Sequence, residues 1–470
     1  MSPTPPTVLR RAVYLRGLAA VHLVAVASLW PQLAGLVGER GILPAHRHLE
    51  RLWEALGIEA VWKVPTLLWA LPGDAGLNAV CALWAALAAL LLAGATLEGP
   101  LLLGLWACSL SISVAGQLWL GFQWDALLVE ATFAAMLVAR WRPGQHDAPR
   151  YGWIVQHWLL FRLMFFGGLV KLTSGDPTWA DGSALTFHYL TQPLPNPVSW
   201  FAHQLPPWVH AVSVLGALGI ELLLPLAIPL GVWGRRAAFT GFVLLMGLLF
   251  ISGNFGWFQI LTVVLCFTLL DDADLKRVVP ERAWPRTPHG TSWPVLAPLA
   301  VALAVLSMLR VPDLPALPGP AQAIVRSTYP YRIVNRYGLF AVMTAERREV
   351  VFEGSLDGET WQPYALPAKP GDPMRRPPQV APHMPRLDWQ LWFAALGDCR
   401  QNAWVLAVQR HLVDGNPTVL GLFADDPFGG EPPRYVRTML YDYRFAAPGS
   451  EAWWERDLLG PYCPEMERPE

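Results

Sequence analysis

The chain has 470 residues, 53% of them hydrophobic and only 15% charged, with a mean hydropathy of +0.32; a wholly soluble protein, whose charged fraction is about 25%, is excluded. A net charge of −1, from 35 basic and 36 acidic residues, excludes the basic footprint of a nucleic-acid binder. The five cysteines include no CxxC pair, which excludes a zinc ribbon or a thioredoxin-type redox site.

The charge deficit lies before about residue 311. That part holds nine apolar runs, at about 12–31, 76–95, 100–118, 122–140, 153–172, 208–232, 236–252, 255–271 and 294–311. An α-helix needs roughly 20 such residues to cross the hydrocarbon. The first run carries Arg16 and His22 and lacks a small-residue cleavage site, so it reads as an anchor rather than a cleaved signal peptide. The short stretch Trp62 to Leu71 reads as interfacial, and Cys81, Cys108 and Cys266 as small buried residues. Orientation follows from the basic residues. Arg10 and Arg11 precede the first run; Arg140, Arg142 and Arg150 follow the fourth; Arg235 and Arg236 follow the sixth; Lys276, Arg277, Arg282 and Arg286 follow the eighth. Lysine and arginine are absent between Lys171 and Arg235. This pattern predicts nine spans with a cytoplasmic N-terminus. The loop 173–207 and the C-terminal part then share the outer face.

Charged residues inside the apolar runs are costly unless they are paired or face a wet cavity. Arg162, Glu130 and Glu221 sit within runs and Lys171 at the outer end of one. Two readings are open: a polar pocket built from Arg162, Glu130 and Glu221, or buried ion pairs that fix helix packing. Lys171 has the third option of reaching the interface. The loop 173–207 contains a turn at Thr173 to Asp176, a short amphipathic helix over Ala184–Thr191 and a rigid Pro-rich path over Gln192 to Pro197. It reads either as an interfacial re-entrant loop or as a lid whose polar groups are Asp176 and His188.

After residue 311 the period changes. Residues 312–328 read as a linker and 329–470 as a soluble α+β, β-rich domain, following a membrane bundle over 1–311. Gly338 to Phe352, Trp361 to Leu366 and Arg434 to Phe445 suit strands, with a tight turn at Gly354 to Gly358. Asp388 is expected to cap a helix through Leu396. Gln401–His411 and Glu451–Leu459 are further helical candidates, and Pro367 to Pro385 is irregular. Trp389, Trp392 and Phe393 form an aromatic stripe, read either as core or as a docking surface, with His383, Arg386 and Asp388 as polar neighbours. Cys399 and Cys463 can pair in an oxidising compartment. Motifs for a nucleophile elbow, a phosphate loop, a zinc protease and a dinucleotide fold are missing, and His46 with His48 falls short of a metal site.

Several long runs resemble one family. Ser28 to Ala45 (SLWPQLAGLVGERGILPA) resembles the opening of the lipase maturation factors. Phe161 to Trp179 (FRLMFFGGLVKLTSGDPTW) and His188 to Pro206 (HYLTQPLPNPVSWFAHQLP) resemble their central block. Asn335 to Thr344 (NRYGLFAVMT), Glu353 to Trp361 (EGSLDGETW) and Pro382 to Leu396 (PHMPRLDWQLWFAAL) resemble their soluble domain. The resemblance implies a multi-pass protein that helps secreted lipases reach an active fold, with the soluble domain facing the endoplasmic reticulum lumen and binding the client. Asn335, Arg336 and Tyr337 then join His383, Arg386, Asp388, Trp389, Trp392 and Phe393 as client-binding candidates. The lysine-poor composition, with only Lys63, Lys171, Lys276 and Lys369, points to a GC-rich bacterial genome and hence to an inner membrane with a periplasmic C-terminal domain.

The expectation is a chaperone-like maturation factor, more a binder than an enzyme, with membrane lipids and an exported lipase as partners and no cofactor or metal. The alternative is an intramembrane enzyme acting on a lipid or quinone. Its plan is similar to that of the vitamin K-dependent gamma-carboxylases, and its candidate groups are Lys171, Arg162, Glu130, Glu221, Asp176 and His188.

Overall fold

The computed structural model describes residues 8–142, 145, 148–280, 296–311 and 316–469. Arg282, Arg286 and residues 294–295 and 312–315 lie outside them. Among the described residues, six helices are long and apolar enough to cross a membrane: Val8–Val37, Gly73–Leu92, Glu98–Ala115, Arg150–Thr173, Pro207–Leu230 and Val232–Ser252. Six of the nine expected runs meet that criterion of length and hydropathy. The other three runs are helical but short, at Gln123–Ala135, Phe258–Leu269 and Ala297–Leu309. Thirteen residues rise about 20 Å, against a hydrocarbon layer of about 30 Å. Gln123–Ala135 is almost wholly buried by its neighbours, so protein rather than lipid covers its ends.

The bundle has two chemically different ends. At one, Asp272 accepts hydrogen bonds from the Leu9 and Arg10 amides (3.1 and 2.9 Å), Glu98 pairs with Arg11 and Arg140, and Arg236 pairs with Asp274. Arg10, Arg11, Arg140 and Arg236, four of the basic residues used to orient the chain, thus gather at this end. At the other end, which we call outer, sits the C-terminal domain.

That domain contains one antiparallel sheet in the order β2-β1-β3-β4, made of β1 (Arg347–Ser355), β2 (Gln362–Pro363), β3 (Tyr435–Phe445) and β4 (Trp454–Glu467). Helices Arg386–Ala394 and Trp404–Val413 pack against it. The turn after β1 is held by Asp357, whose carboxylate accepts from the Glu359 and Thr360 amides (2.8 Å each), with Gly358 at φ +81°.

Three expectations are corrected. Glu451–Leu459 is not a helix: Trp454 pairs with Phe445 and the strand runs on through Glu467, where Pro461 and Pro464 would have broken a helix. The strand expected from Gly338 begins only at Arg347, because the bundle takes up the intervening backbone. Gly338 donates to Gln123 Oε1 (2.9 Å), Met343 donates to Asp176 Oδ2 (2.5 Å), and the Phe340 carbonyl accepts from Trp179 (3.0 Å). Asp388 does not cap its helix, whose N-cap is Pro385. Its carboxylate accepts instead from the Ala368 and Lys369 amides (2.7 and 3.0 Å).

The two parts share one core. Leu29, Leu33 and Trp124 of the bundle belong to the same buried cluster as Met384, Leu387, Trp389 and Val405. Within 312–328, helix Gly319–Thr328 packs through Val325 against Leu137, Leu303 and Leu306. The C-terminal domain is therefore seated on the bundle and does not swing on a tether.

Cys399 and Cys463 form a disulfide that joins β4 to the segment after helix Arg386–Ala394. It closes a separation of 64 residues, which in the chain-entropy account contributes about 4 kcal/mol. Reduction should lower the Tm of the purified protein by several degrees and leave Cys399→Ser/Cys463→Ser unmoved. Equal reductant sensitivity in the two proteins would remove the disulfide from this role.

Candidate functional site

The expected candidates converge on the outer mouth of the bundle, but they divide into separate groups. Glu130, on the buried helix Gln123–Ala135, pairs with Arg162. It also accepts from the Asn335 amide (2.6 Å), the Asn335 side chain (3.0 Å) and the Tyr337 hydroxyl (2.6 Å), while Arg162 Nη1 donates to the Asn335 carbonyl (3.0 Å). One carboxylate thus fixes the strap 335–338 onto the helices. The structure favours the ion-pair reading of Arg162 and Glu130 and gives it an added task, anchoring the incoming domain.

Glu221 is elsewhere. It pairs with Lys171 (2.5 Å), and both line a cavity of about 90 Å³ with His188, Trp179 and the apolar Leu163, Met246 and Phe255. The single pocket of Arg162, Glu130 and Glu221 therefore does not form, because each carboxylate is taken by the nearest cation. Burial, reinforced by the Lys171 ammonium, pushes the His188 imidazole down to about 4, so it is neutral at physiological pH. Asp176 stands apart from this cavity, capping Pro177–Ala180 through the Thr178 amide (2.9 Å) and holding Met343. Lys171, the candidate base of the enzyme alternative, is occupied by its pair with Glu221.

The seat of the C-terminal domain is built from Pro378–Trp392. Arg386, fully buried, forms a two-pronged pair with Asp125 (Nη1–Oδ2 2.6 Å, Nη2–Oδ1 2.8 Å) and donates to the Trp119 carbonyl (3.0 Å). Its own amide donates to Gln32 (2.8 Å), while Gln32 and Ser28 bind the Met384 backbone. Ser28 also meets His383 Nδ1 (3.0 Å). Asn254 accepts from the Val380 and Ala381 amides (2.8 and 2.9 Å) and donates to the Pro378 carbonyl (2.9 Å). Trp389 inserts among Trp124 (4.8 Å between centroids), Phe122 (5.6 Å) and Phe255 (6.0 Å).

These contacts separate the client-binding candidates. Arg386, Asp388, Trp389 and Tyr337 are buried and cannot touch a client; Asn335 is spent on Glu130. Trp392 is half-buried and donates to the Thr191 carbonyl (2.8 Å). His383, Arg336 and Phe393 remain exposed, and Leu396 one turn on is 48% exposed. Sequence reasoning missed Ser28, Gln32, Asp125 and Asn254, which lie near the ends of apolar runs, and Asn196 in the outer loop; all five bond residues far away in the chain. It also missed the buried group Arg347, Glu349 and Lys369 in the domain. There Arg347 pairs with Glu349 (2.6 Å) and donates to the Leu190, Gln192 and Pro193 carbonyls of the outer loop (2.7, 2.5 and 2.9 Å), and Lys369 pairs with the same Glu349.

Two outcomes follow from this geometry. Glu130→Gln leaves the Arg162 charge buried without its partner and should cost about 3–5 kcal/mol, read as a lower Tm in detergent; Glu130→Gln/Arg162→Met should recover part of the loss, and an unchanged Tm in the single variant would refute the hub. Burial pushes the Asp388 carboxyl up to about 6, above its unfolded value of about 3.9. The folded state then takes up the proton first, so acidification through 6 favours folding at this group. The stability of wild type relative to Asp388→Asn should rise between pH 7.5 and 4.5, by about 2 kcal/mol for a two-unit shift. A flat difference would refute the raised value.

Comparison with known proteins adds the family. Residues 9–277 match the lipase maturation factor transmembrane domain, and residues 333–464 match the lipase maturation factor C-terminal domain. The chain is 35% identical to lipase maturation factor 2 of Homo sapiens, over 97% of its own length and 82% of the human protein's. It is 34% identical to lipase maturation factor 1 of Bos taurus, over 98% and 89% respectively. No solved structure matches it. With both domains matched in order, and with the strap and seat that join them lying in the matched regions, the chain belongs to the lipase maturation factor family.

Proposed function

We propose that this integral membrane protein matures exported lipases by holding an incompletely assembled client against its outer domain. The observation that carries this reading is the seating of that domain: Arg386–Asp125, Glu130–Asn335 and Asn254 lock it to the bundle, and Phe393 and Leu396 are left exposed at the end of its helix. Exposed apolar groups on a rigid mount can cover a client's unassembled interface without a large ordering cost. Such holding needs no nucleotide.

The free edge of the sheet is a poorer dock. β4 carries Pro461 and Pro464, and its pairing with β3 is interrupted by register shifts. Both features blunt strand addition. The client surface is therefore one of side chains, with Phe393, Leu396 and the exposed His383 at its centre. Arg386, Asp388 and Trp389 position it from below. The positive-inside rule favours the cytoplasm for the basic end of the bundle, and the Cys399–Cys463 disulfide suits a periplasm or an equivalent lumen for the seated domain.

The test is the specific activity of exported lipases in a strain lacking the gene, restored with wild type or with Phe393→Glu/Leu396→Glu. Activity per unit of secreted lipase should fall on deletion, recover with wild type and stay at least severalfold lower with the charged variant. Unchanged specific activity on deletion would overturn the role, and full recovery by the variant would overturn the surface.

A further inference from the structure

The cavity of about 90 Å³ beside the Lys171–Glu221 pair holds a polar group that the protein leaves unanswered. Gln259, in the first turn of Phe258–Leu269, lines this cavity and is 2% exposed. Neither its Oε1 nor its Nε2 has a hydrogen-bond partner among the described residues. A buried carboxamide with both ends unpaired is costly, and native structures seldom keep one without a reason. The space beside it is open. Gly167, buried on Arg150–Thr173, lines the same cavity, yet a Cβ added to it would meet no neighbouring atom within 4 Å.

Three features define what fits. The one ammonium and the one carboxylate on the wall, Lys171 and Glu221, pair with each other, so the occupant is uncharged. Its head both donates and accepts, because the Gln259 amide offers one acceptor and one donor group. Its body is apolar and slender: Leu163, Met164, Leu245 and Met246 form the wall, and the volume is below the roughly 150 Å³ that takes a benzene ring.

The helices around the cavity indicate where the occupant comes from. Pro207–Leu230 and Val232–Ser252 place Ala217, Leu245 and Met246 on the cavity and leave Val212, Leu215, Leu244 and Leu248 exposed. In a membrane protein such bare apolar side chains face acyl chains, so the cavity lies one helix layer from the bilayer. We propose that it takes the head end of a fatty acid in its uncharged form, with the carboxyl O–H donating to Gln259 Oε1, the carbonyl accepting from Gln259 Nε2 and the first methylenes against Leu163, Met246 and Gly167. The apolar wall favours the protonated carboxyl. Trp179 of the outer loop and Phe340, just past the strap 335–338, line the same cavity, so the bound chain would lie beneath the mount of the outer domain.

The test is binding of tritiated palmitic acid to the full-length protein in detergent, with unlabelled palmitic acid, palmitamide, methyl palmitate or hexadecane as competitor. Palmitic acid and palmitamide, whose heads both donate and accept, should displace the label at least tenfold better than methyl palmitate, which only accepts, or hexadecane, which does neither. Gln259→Leu should weaken binding at least tenfold while the Tm holds or rises, since it removes unpaired polar atoms. Gly167→Leu fills the cavity and suits a helix better than glycine; it should weaken binding as much, which keeps the proposal falsifiable if the first variant misfolds. Methyl palmitate or hexadecane competing as well as the acid would overturn the hydrogen-bonded head. Failure of palmitamide to compete would mean that Lys171 holds an ionised carboxylate and would overturn the uncharged form. Absence of saturable binding, or unchanged binding in either variant, would overturn the site.

Discussion

A guanidinium removed from water must find all its partners inside the protein, and Arg386 is fully buried. Its partners belong to the bundle: both oxygens of Asp125 and the Trp119 carbonyl. The domain that carries Arg386 can therefore sit in only one way without leaving two charges stranded. Hydrophobic contact alone would tolerate sliding, because apolar surface has no direction. The fork of Arg386 and the carboxylate of Glu130 supply the direction, one from the domain into the bundle and the other from the bundle into the strap.

Around these two points the remaining polar contacts fall into place. Arg347 reaches three carbonyls of the outer loop, and Trp392 and Trp179 each donate across the same boundary. The loop 173–207 is thus neither a free lid nor a simple re-entrant loop; it is the layer between the bundle and the sheet. Its Pro-rich path matters because it presents Leu190, Gln192 and Pro193 carbonyls that have no helical partner and can accept from Arg347. The short helix Gln123–Ala135, too short to cross a bilayer alone, is where Asp125 and Glu130 both reside, one turn and a half apart on a protected element.

This arrangement changes what the family's two-part plan means. A tethered domain would search for clients; a seated one presents a fixed surface at a fixed height above the membrane. The exposed Phe393 lies one turn beyond Trp389 on the face of the helix that also carries Arg386, and Leu396 lies just past the helix end, so the proposed docking face begins where the mount stops.

The sequence by itself determined the elements that depend on local period and composition. The apolar runs became helices, Tyr435–Phe445 became a strand, the turn at Asp357–Gly358 formed, and the long matched runs identified the family. It failed where distant groups decide. Glu451–Leu459 looked helical until β3 supplied a pairing edge, and residues 338–346 looked extended until bundle side chains claimed their backbone. Which carboxylate neutralises which cation was a choice only the tertiary structure made. Glu130 took Arg162 and Glu221 took Lys171, because Coulomb attraction between buried charges is governed by distance in space, and separation along the chain says nothing about that distance.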